Sequence, residues 1–279
     1  MIGNYFSKNG KLLDVAQAVV SIDDLELSYG FGVYENLKIR NGILYFAKQH
    51  IARLCQSAEC IGLKHLFESS FIENALYALI QKNEINTANI KMLLLGGKEQ
   101  TDARLFIFLL NPKFPDRKLY KKGARVISAH YERLFPQAKT LNMLGSYLAY
   151  AKAMGDGCYD ALLIDKNNNA LEGTRTNFYA FKGNTIVTAP LDCVLNGVTR
   201  QTVLSVARKS GYVVLEELIP YGAIAEYEGA FLTSTSSNIM PLRKIDDHEF
   251  ADIPDGTKKL IEAYKEFLKK SGGKFNERA

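Results

Sequence analysis

Five short stretches place chemistry-bearing groups where the surroundings are apolar. Lys139 stands alone in "PQAKTLNMLGSYLAY" (136–150), just ahead of an apolar helix, and reads either as a solvated helix start or as a partly desolvated, reactive amine. Glu172 in "ALEGTRTNFYAF" lies between a turn and a strand. Gly197-Val198-Thr199 in "LNGVTRQTVL" opens a helix, where unpaired backbone N–H groups and the positive dipole end suit an anion, although many helices begin this way. "FLTSTSSNIMP" (231–241) strings Thr233, Ser234, Thr235, Ser236 and Ser237 together, either as a polar turn or as a hydroxyl-rich anion loop. "AKQHIARL" sets His50 and Arg53 three apart on one helical face, and an arginine is well suited to fork onto a phosphate. Taken singly, each has an ordinary structural reading. Together they are the parts that pyridoxal phosphate requires: a lysine to form an imine, a carboxylate for the pyridine nitrogen, and donors for the phosphate.

The elements that must position these groups follow from turn signals and periodicity. Asn9-Gly10, Asn41-Gly42 and Gly183-Asn184 mark hairpin turns. Helical spacing predicts helices over 47–63 and 70–85, and apolar runs predict strands over 90–96 and 104–110. Beyond these come a strand over 124–130, a helix after Lys139, strands near 159–165 and 177–181, and a helix over 199–210. Strands near 212–217 and 229–233 and a terminal helix over 256–270 complete the pattern. Strands and helices mix without strict alternation, so the class is α+β (mixed α/β). "NPKFPDRKLYKKG" (111–123) lacks helical or strand periodicity and reads as a linker. The expected organisation is an N-terminal domain over 1–115, a linker over 116–124 and a C-terminal domain over 125–279, with the cofactor between the two.

The chain has 279 residues and a net charge of +5, is 47% hydrophobic and 23% charged, and so excludes extended disorder and fibrous repeats. Two basic stretches, 117–125 and 269–278, lack the interleaved aromatics of single-strand binders and read as solvated surface, so no nucleic-acid partner is expected. The four cysteines, Cys55, Cys60, Cys158 and Cys193, show no paired spacing, the four histidines do not cluster, and no metal site is expected. The N-terminus lacks a secretory pattern, and the longest apolar runs are too short to span a membrane. A cytoplasmic protein with reduced thiols is the expectation.

Five ordered blocks, "SYGFGVYENLKIRNGILYFAKQHIARLCQSA", "AKTLNMLGSYLAYAKAMGDGCYDALLID", "LEGTRTNFYAFKGN", "LNGVTRQTVL" and "FLTSTSSNIMPLRKID", resemble the class IV (fold-type IV) pyridoxal-phosphate enzymes. That family includes branched-chain aminotransferases, D-amino acid aminotransferases and aminodeoxychorismate lyases. The resemblance implies a two-domain, D-amino acid aminotransferase-like fold and a homodimer. It implies that Lys139 is the cofactor-bearing lysine and Glu172 the partner of the pyridine nitrogen. Arg53, Val198, Thr199, Ser234 and Thr235 would hold the phosphate. Tyr34, Ser236 and Ser237 would line the substrate pocket.

The sequence departs from the family at two places. The arginine in an "RG" stretch by which D-amino acid enzymes bind the substrate carboxylate is missing from "LLLGGKEQTDARL", which leaves Lys91, Lys98, Arg104, Lys38 and Arg40 as candidate cations. Asn238 stands where the aminotransferases usually carry glutamate. The expected activity is transfer of an amino group between a branched-chain L- or D-amino acid and a 2-oxo acid. The alternatives are an aminodeoxychorismate lyase releasing pyruvate, which would break a different bond, and a non-catalytic relative.

Overall fold

A computed structural model describes residues 1–271 and divides the chain into two compact units. Met1–Lys113 cluster with Ala138–Asn142 and Ser271; Phe114–Gln137 cluster with Met143–Lys270. The part of the basic stretch 269–278 that begins at residue 272 lies outside the described residues.

The first unit contains β1 (Tyr5–Lys8), β2 (Lys11–Asp14), α1 (Leu25–Ser28), β3 (Gly32–Arg40), β4 (Ile43–Leu44), α2 (Ala47–Cys60), α3 (Ser69–Asn83), β5 (Ala88–Leu95) and β6 (Arg104–Leu110). Its strands pair antiparallel in the order β2-β1-β6-β5-β3-β4. The two hairpins turn at Asn9-Gly10 and Asn41-Gly42, where all four residues take positive φ, as such tight turns require. Side chains alternate across the sheet. Val33, Leu37 and Ile39 of β3, Ile90, Met92 and Leu94 of β5, and Leu105, Ile107 and Leu109 of β6 share one core with Ile51 and Leu54 of α2 and Ile72 and Leu76 of α3. Residues in the other phase of the strands, Tyr34, Asn36 and Lys38 on β3 and Lys91 on β5, point away from that core.

The second unit contains α4 (Arg117–Lys122), β7 (Ala124–His130), α5 (Leu144–Gly155), β8 (Asp160–Ile164), β9 (Asn169–Gly173), β10 (Asn177–Lys182), β11 (Thr185–Thr188), α6 (Val198–Lys209), β12 (Val213–Glu216), β13 (Ile219–Pro220), β14 (Gly229–Ser234), β15 (Asn238–Ile245), β16 (His248–Glu249) and α7 (Asp255–Ser271). Strands β10, β14, β15, β7, β8 and β9 pair in that order, and β9 returns to β10, so the six close into a ring. One apolar cluster draws Val126, Leu162, Ala170, Phe178, Leu232 and Met240 from the six strands in turn. The closing seam is narrow, since β9 and β10 pair only at Glu172 and Asn177.

The segment read as an irregular linker is a helix for much of its length. Asp116 caps α4 by accepting from the Lys118 N–H, and Leu119 and Tyr120 pack against the apolar cluster of the second unit. Its amphipathic signal is only two residues wide, which hid it among the basic side chains.

Candidate active site

In the first unit, Lys139 lies on a segment annexed by the N-terminal end of β3. The Tyr34 N–H donates to the Lys139 carbonyl at 2.9 Å, the Leu141 N–H donates to the Gly32 carbonyl at 2.9 Å, and Val33 bridges to Thr140. The Lys139 N–H donates to Ser57 Oγ at 3.1 Å. The backbone of Lys139 is therefore tied on both sides, while its half-buried side chain brings Nζ to 4.7 Å from the Tyr34 ring centroid. On the same ring, Lys91 Nζ stands 5.0 Å from the centroid.

Below Tyr34 in the chain, Glu35 points to the helix side of the sheet and is fully buried. Arg53 donates to it through Nε at 2.6 Å and Nη2 at 2.8 Å, and His50 Nδ1 lies 2.7 Å away. Burial works to raise the Glu35 carboxyl, but the Arg53 guanidinium and His50 outweigh it and hold it at about 2. Burial also pushes the His50 imidazole below its ordinary range, against the pull of Glu35. Spaced along α2, His50, Arg53 and Ser57 thus position Glu35 and the backbone of Lys139 together.

The second unit carries the rest of the expected residues. Glu172 on β9 is buried, and its Oε1 accepts from Arg133 Nε at 2.8 Å and Nη2 at 2.6 Å. Its Oε2 accepts from the Leu195 N–H at 3.2 Å and lies 3.5 Å from Asn177 Nδ2. Asn177 in turn donates to the Leu195 carbonyl at 2.8 Å. Val198 and Thr199 form the buried first turn of α6, and no side chain caps it at Gly197. A Cβ on Gly197 would stand 2.2 Å from Asn177 Oδ1, so any side chain there must displace that amide or the start of the helix.

The hydroxyl loop lies next in the sheet. Asn177 pairs with Thr233 of β14, and Ser234 pairs with Asn238 of β15 across the turn. Ser234 Oγ and Ser237 Oγ are 2.7 Å apart and the Ser237 N–H donates to Ser234 Oγ. Thr235 is half-buried and Ser236 exposed at the tip. Tyr120 of α4 donates to the Ser237 carbonyl at 2.9 Å, which ties the loop from the side; burial pushes that phenol up to about 12. Asn238 has φ +57°, a left-handed conformation that asparagine adopts more readily than glutamate, so its departure from the family pattern has a backbone reason.

The residues present fit pyridoxal phosphate. A half-buried amine, a buried carboxylate held by an arginine, an uncapped buried helix start and a hydroxyl loop are the donor set such a group needs. The first unit brings Tyr34 and Lys139 together and holds Arg53 against Glu35 on the helix side of the sheet, and the second carries Glu172 beside the start of α6 at Val198 and Thr199, and Ser234–Ser237 on the neighbouring strands. Glu35, Ser57, Arg133, Asn177 and Tyr120 were not singled out in the sequence. Glu35 had a signal, because it occupies the apolar phase of β3; Arg133, on an irregular segment, had none.

A mixed α+β fold with these groups defines a pyridoxal-phosphate enzyme. A family profile described as Amino-transferase class IV matches residues 32–245, and the chain belongs to that family: it is a pyridoxal-phosphate-dependent aminotransferase. A D-alanine aminotransferase of Bacillus licheniformis is 32% identical over 247 residues, covering 85% of this chain and 87% of the relative. A putative branched-chain-amino-acid aminotransferase of Methanocaldococcus jannaschii is 32% identical over 280 residues, covering 95% and 96%. In fold, the chain is similar to the branched-chain aminotransferase of Thermoproteus uzoniensis with norvaline, with a TM-score of 0.87, 24% identity and coverage of 98% and 97%. It is also similar to the holo form of the branched-chain amino acid aminotransferase of Thermobaculum terrenum, with a TM-score of 0.86, 23% identity and coverage of 96% and 95%.

Proposed function

We propose that the enzyme moves an amino group between an amino acid and a 2-oxo acid, with Lys139 as the catalytic proton carrier and Lys91 as the cation for the substrate carboxylate. The observation that carries this reading is that Lys139 Nζ and Lys91 Nζ lie 4.7 Å and 5.0 Å from the centre of one ring, that of Tyr34. Of the other candidate cations, Arg104 is paired with Asp24, Arg40 is bonded to the Ala88 carbonyl and to Asn89, and Lys98 is exposed. Burial, with Arg40 beside it, holds Lys38 down at about 7, so near neutrality it offers only part of a positive charge.

When bound, pyridoxal phosphate supplies the electron sink for the pair left at the substrate α-carbon. Lys139 Nζ would take the proton from that carbon and pass it to a carbon of the cofactor, and with the 2-oxo acid would carry it the other way to the new α-carbon, a transfer for which its backbone is held on both sides. Glu172 would accept a hydrogen bond from the protonated ring nitrogen, while Arg133 keeps its carboxylate compensated. In this reading Arg53, the N–H groups of Val198 and Thr199, and the hydroxyls of Ser234 and Thr235 would hold the phosphate. Tyr34, Ser236 and Ser237 line the place of the substrate.

The substrate is a branched-chain L-amino acid or a D-amino acid, the two kinds named among the relatives of about equal identity. The protein works as a homodimer. Leu144, Tyr147, Leu148 and Met154 form an exposed apolar stripe at helical spacing along α5, and such a stripe favours a covering partner. Its free cysteines suit a cytoplasmic setting, and among the described residues no helix is long and apolar enough to cross a membrane.

The test is the visible spectrum of the purified protein, titrated separately with L-leucine, L-glutamate, D-alanine and aminodeoxychorismate while keto acids are assayed. Bleaching of the cofactor band by an amino acid, reversed by a 2-oxo acid, supports the transaminase and fixes its stereochemistry. Pyruvate from aminodeoxychorismate without any acceptor would make the enzyme a lyase instead.

A further inference from the structure

Asp160, at the head of β8, is fully buried and has no part in the roles assigned above. Its Oδ1 accepts from the Thr174 hydroxyl and from the Ala161 N–H at 2.9 Å, and its Oδ2 accepts from the Thr176 hydroxyl at 3.0 Å. Those threonines belong to the turn between β9 and β10, which is closed by the Gly173 N–H donating to the Thr176 carbonyl at 2.8 Å. The fit is tight: a Cβ on Gly173 would stand 2.1 Å from Thr176 Oγ1 and 2.8 Å from Asp160 Oδ2.

The two ends of this turn are Glu172 and Asn177. They form the single residue pair by which β9 meets β10, whereas β14 and β15 share five pairs and β7 and β8 share five. The ladder alone therefore fixes this seam least, at the place where Glu172 is displayed. Asn177 extends the same constraint to α6, through its bond to the Leu195 carbonyl and its contact with Gly197. A buried carboxylate is costly to keep, and burial here pushes its carboxyl upward, so apolar filling would serve stability at least as well. What the carboxylate adds is a fixed geometry for two hydroxyls.

We propose that Asp160 is a positioning residue for the cofactor: through the Thr174 and Thr176 hydroxyls it holds Glu172 and the start of α6 in register. This rests on the proposed roles of Glu172, Val198 and Thr199. Cofactor affinity then depends on the hydroxyl bonds rather than on the charge, because an asparagine at 160 can accept from Thr174 and donate to Thr176.

The experiment titrates apo wild type, Asp160→Asn, Asp160→Ala and Thr176→Val with pyridoxal phosphate by absorbance, with inorganic phosphate as competitor, and records the melting temperature of each apo protein. Asp160→Asn is expected to bind within about twofold of wild type, Thr176→Val about tenfold more weakly, the loss of one bond to a charged group, and Asp160→Ala at least about tenfold more weakly, since it removes the acceptor of all three bonds. Phosphate should compete more weakly in the same two variants, while the apo Thr176→Val protein melts within a few degrees of wild type. Wild-type affinity in Thr176→Val and Asp160→Ala overturns the proposal, and so does an Asp160→Asn protein weakened as much as Asp160→Ala. If Asp160→Ala does not fold, the isosteric Thr176→Val decides. A wild-type protein that takes up no cofactor refutes the proposed function itself, an outcome read before any variant is compared.

Discussion

Lys139 and Tyr34 are joined twice: the Tyr34 N–H donates to the Lys139 carbonyl at 2.9 Å, and Lys139 Nζ stands 4.7 Å from the centre of the Tyr34 ring. The first link fixes where the lysine starts and the second biases where its amine rests. An ammonium over a ring gains about 0.5 to 2 kcal/mol. Tyr34→Phe keeps the ring and should leave kcat within about threefold of wild type, whereas Tyr34→Leu should lower it by about tenfold. Steady-state kinetics of the two variants with one amino donor checks this, and equal losses in both would assign the effect to the hydroxyl.

Arg133 holds Glu172 by two nitrogens on one oxygen, and Glu172 is 4% exposed. Removing one partner of a buried pair leaves a charge without compensation and costs about 3 kcal/mol. Arg133→Met should therefore lower apo stability by that order in urea unfolding. Arg133→Lys should rescue little, because a single ammonium cannot reproduce the fork. A fully stable Arg133→Met protein would mean that Glu172 is compensated by its other neighbours, Leu195 and Asn177.

Much of this architecture was legible because periodicity and turn chemistry agree. The Asn-Gly turns, the helices along α2, α3 and α6 and the runs of β5 and β6 fall within a few residues of their expected places. Lys139, Glu172 and Gly197 were legible as polar or glycine positions breaking apolar surroundings. What was hidden is the layer behind them. Arg133 reaches Glu172 across 39 residues of chain and Asp160 reaches Thr174 across 14, and the pairing of β7, β8 and β9 side by side in the sheet brings these pairs close. Strand β15 was hidden differently: its first residue belongs to the hydroxyl loop, and its middle carries Pro241, which reads as a breaker.

Glu35 sets an acid limit on the first unit. Its carboxyl is held at about 2 instead of the ordinary 4.5, so its folded state binds protons less readily than its unfolded state. The stabilising contribution is then fully present above about pH 4.5 and is lost as the pH falls toward about 2. Urea unfolding of the apo protein should show a midpoint that declines across that window. Glu35→Gln should decline less there, from a lower value at pH 7, since Arg53 and His50 stay buried without their carboxylate. A variant curve parallel to wild type would show that other carboxylates set the limit.

Gly197 separates the proposed phosphate donors, Val198 and Thr199, from Asn177 and Glu172. A Cβ there would meet Asn177 Oδ1 at 2.2 Å, so Gly197→Ala must displace either that amide or the first turn of α6. Both Val198 and Thr199 begin at this point, and a shift of their N–H groups would be felt by a phosphate and not by a ring that lacks one. Gly197→Ala should therefore weaken pyridoxal phosphate by about 100-fold, a misplacement of roughly 1 Å, while pyridoxal without phosphate binds as it does to wild type. Parallel absorbance titrations with the two compounds measure this directly. If both weaken equally, the displaced group is Asn177, and the loss has passed through its contact with Glu172 rather than through the helix.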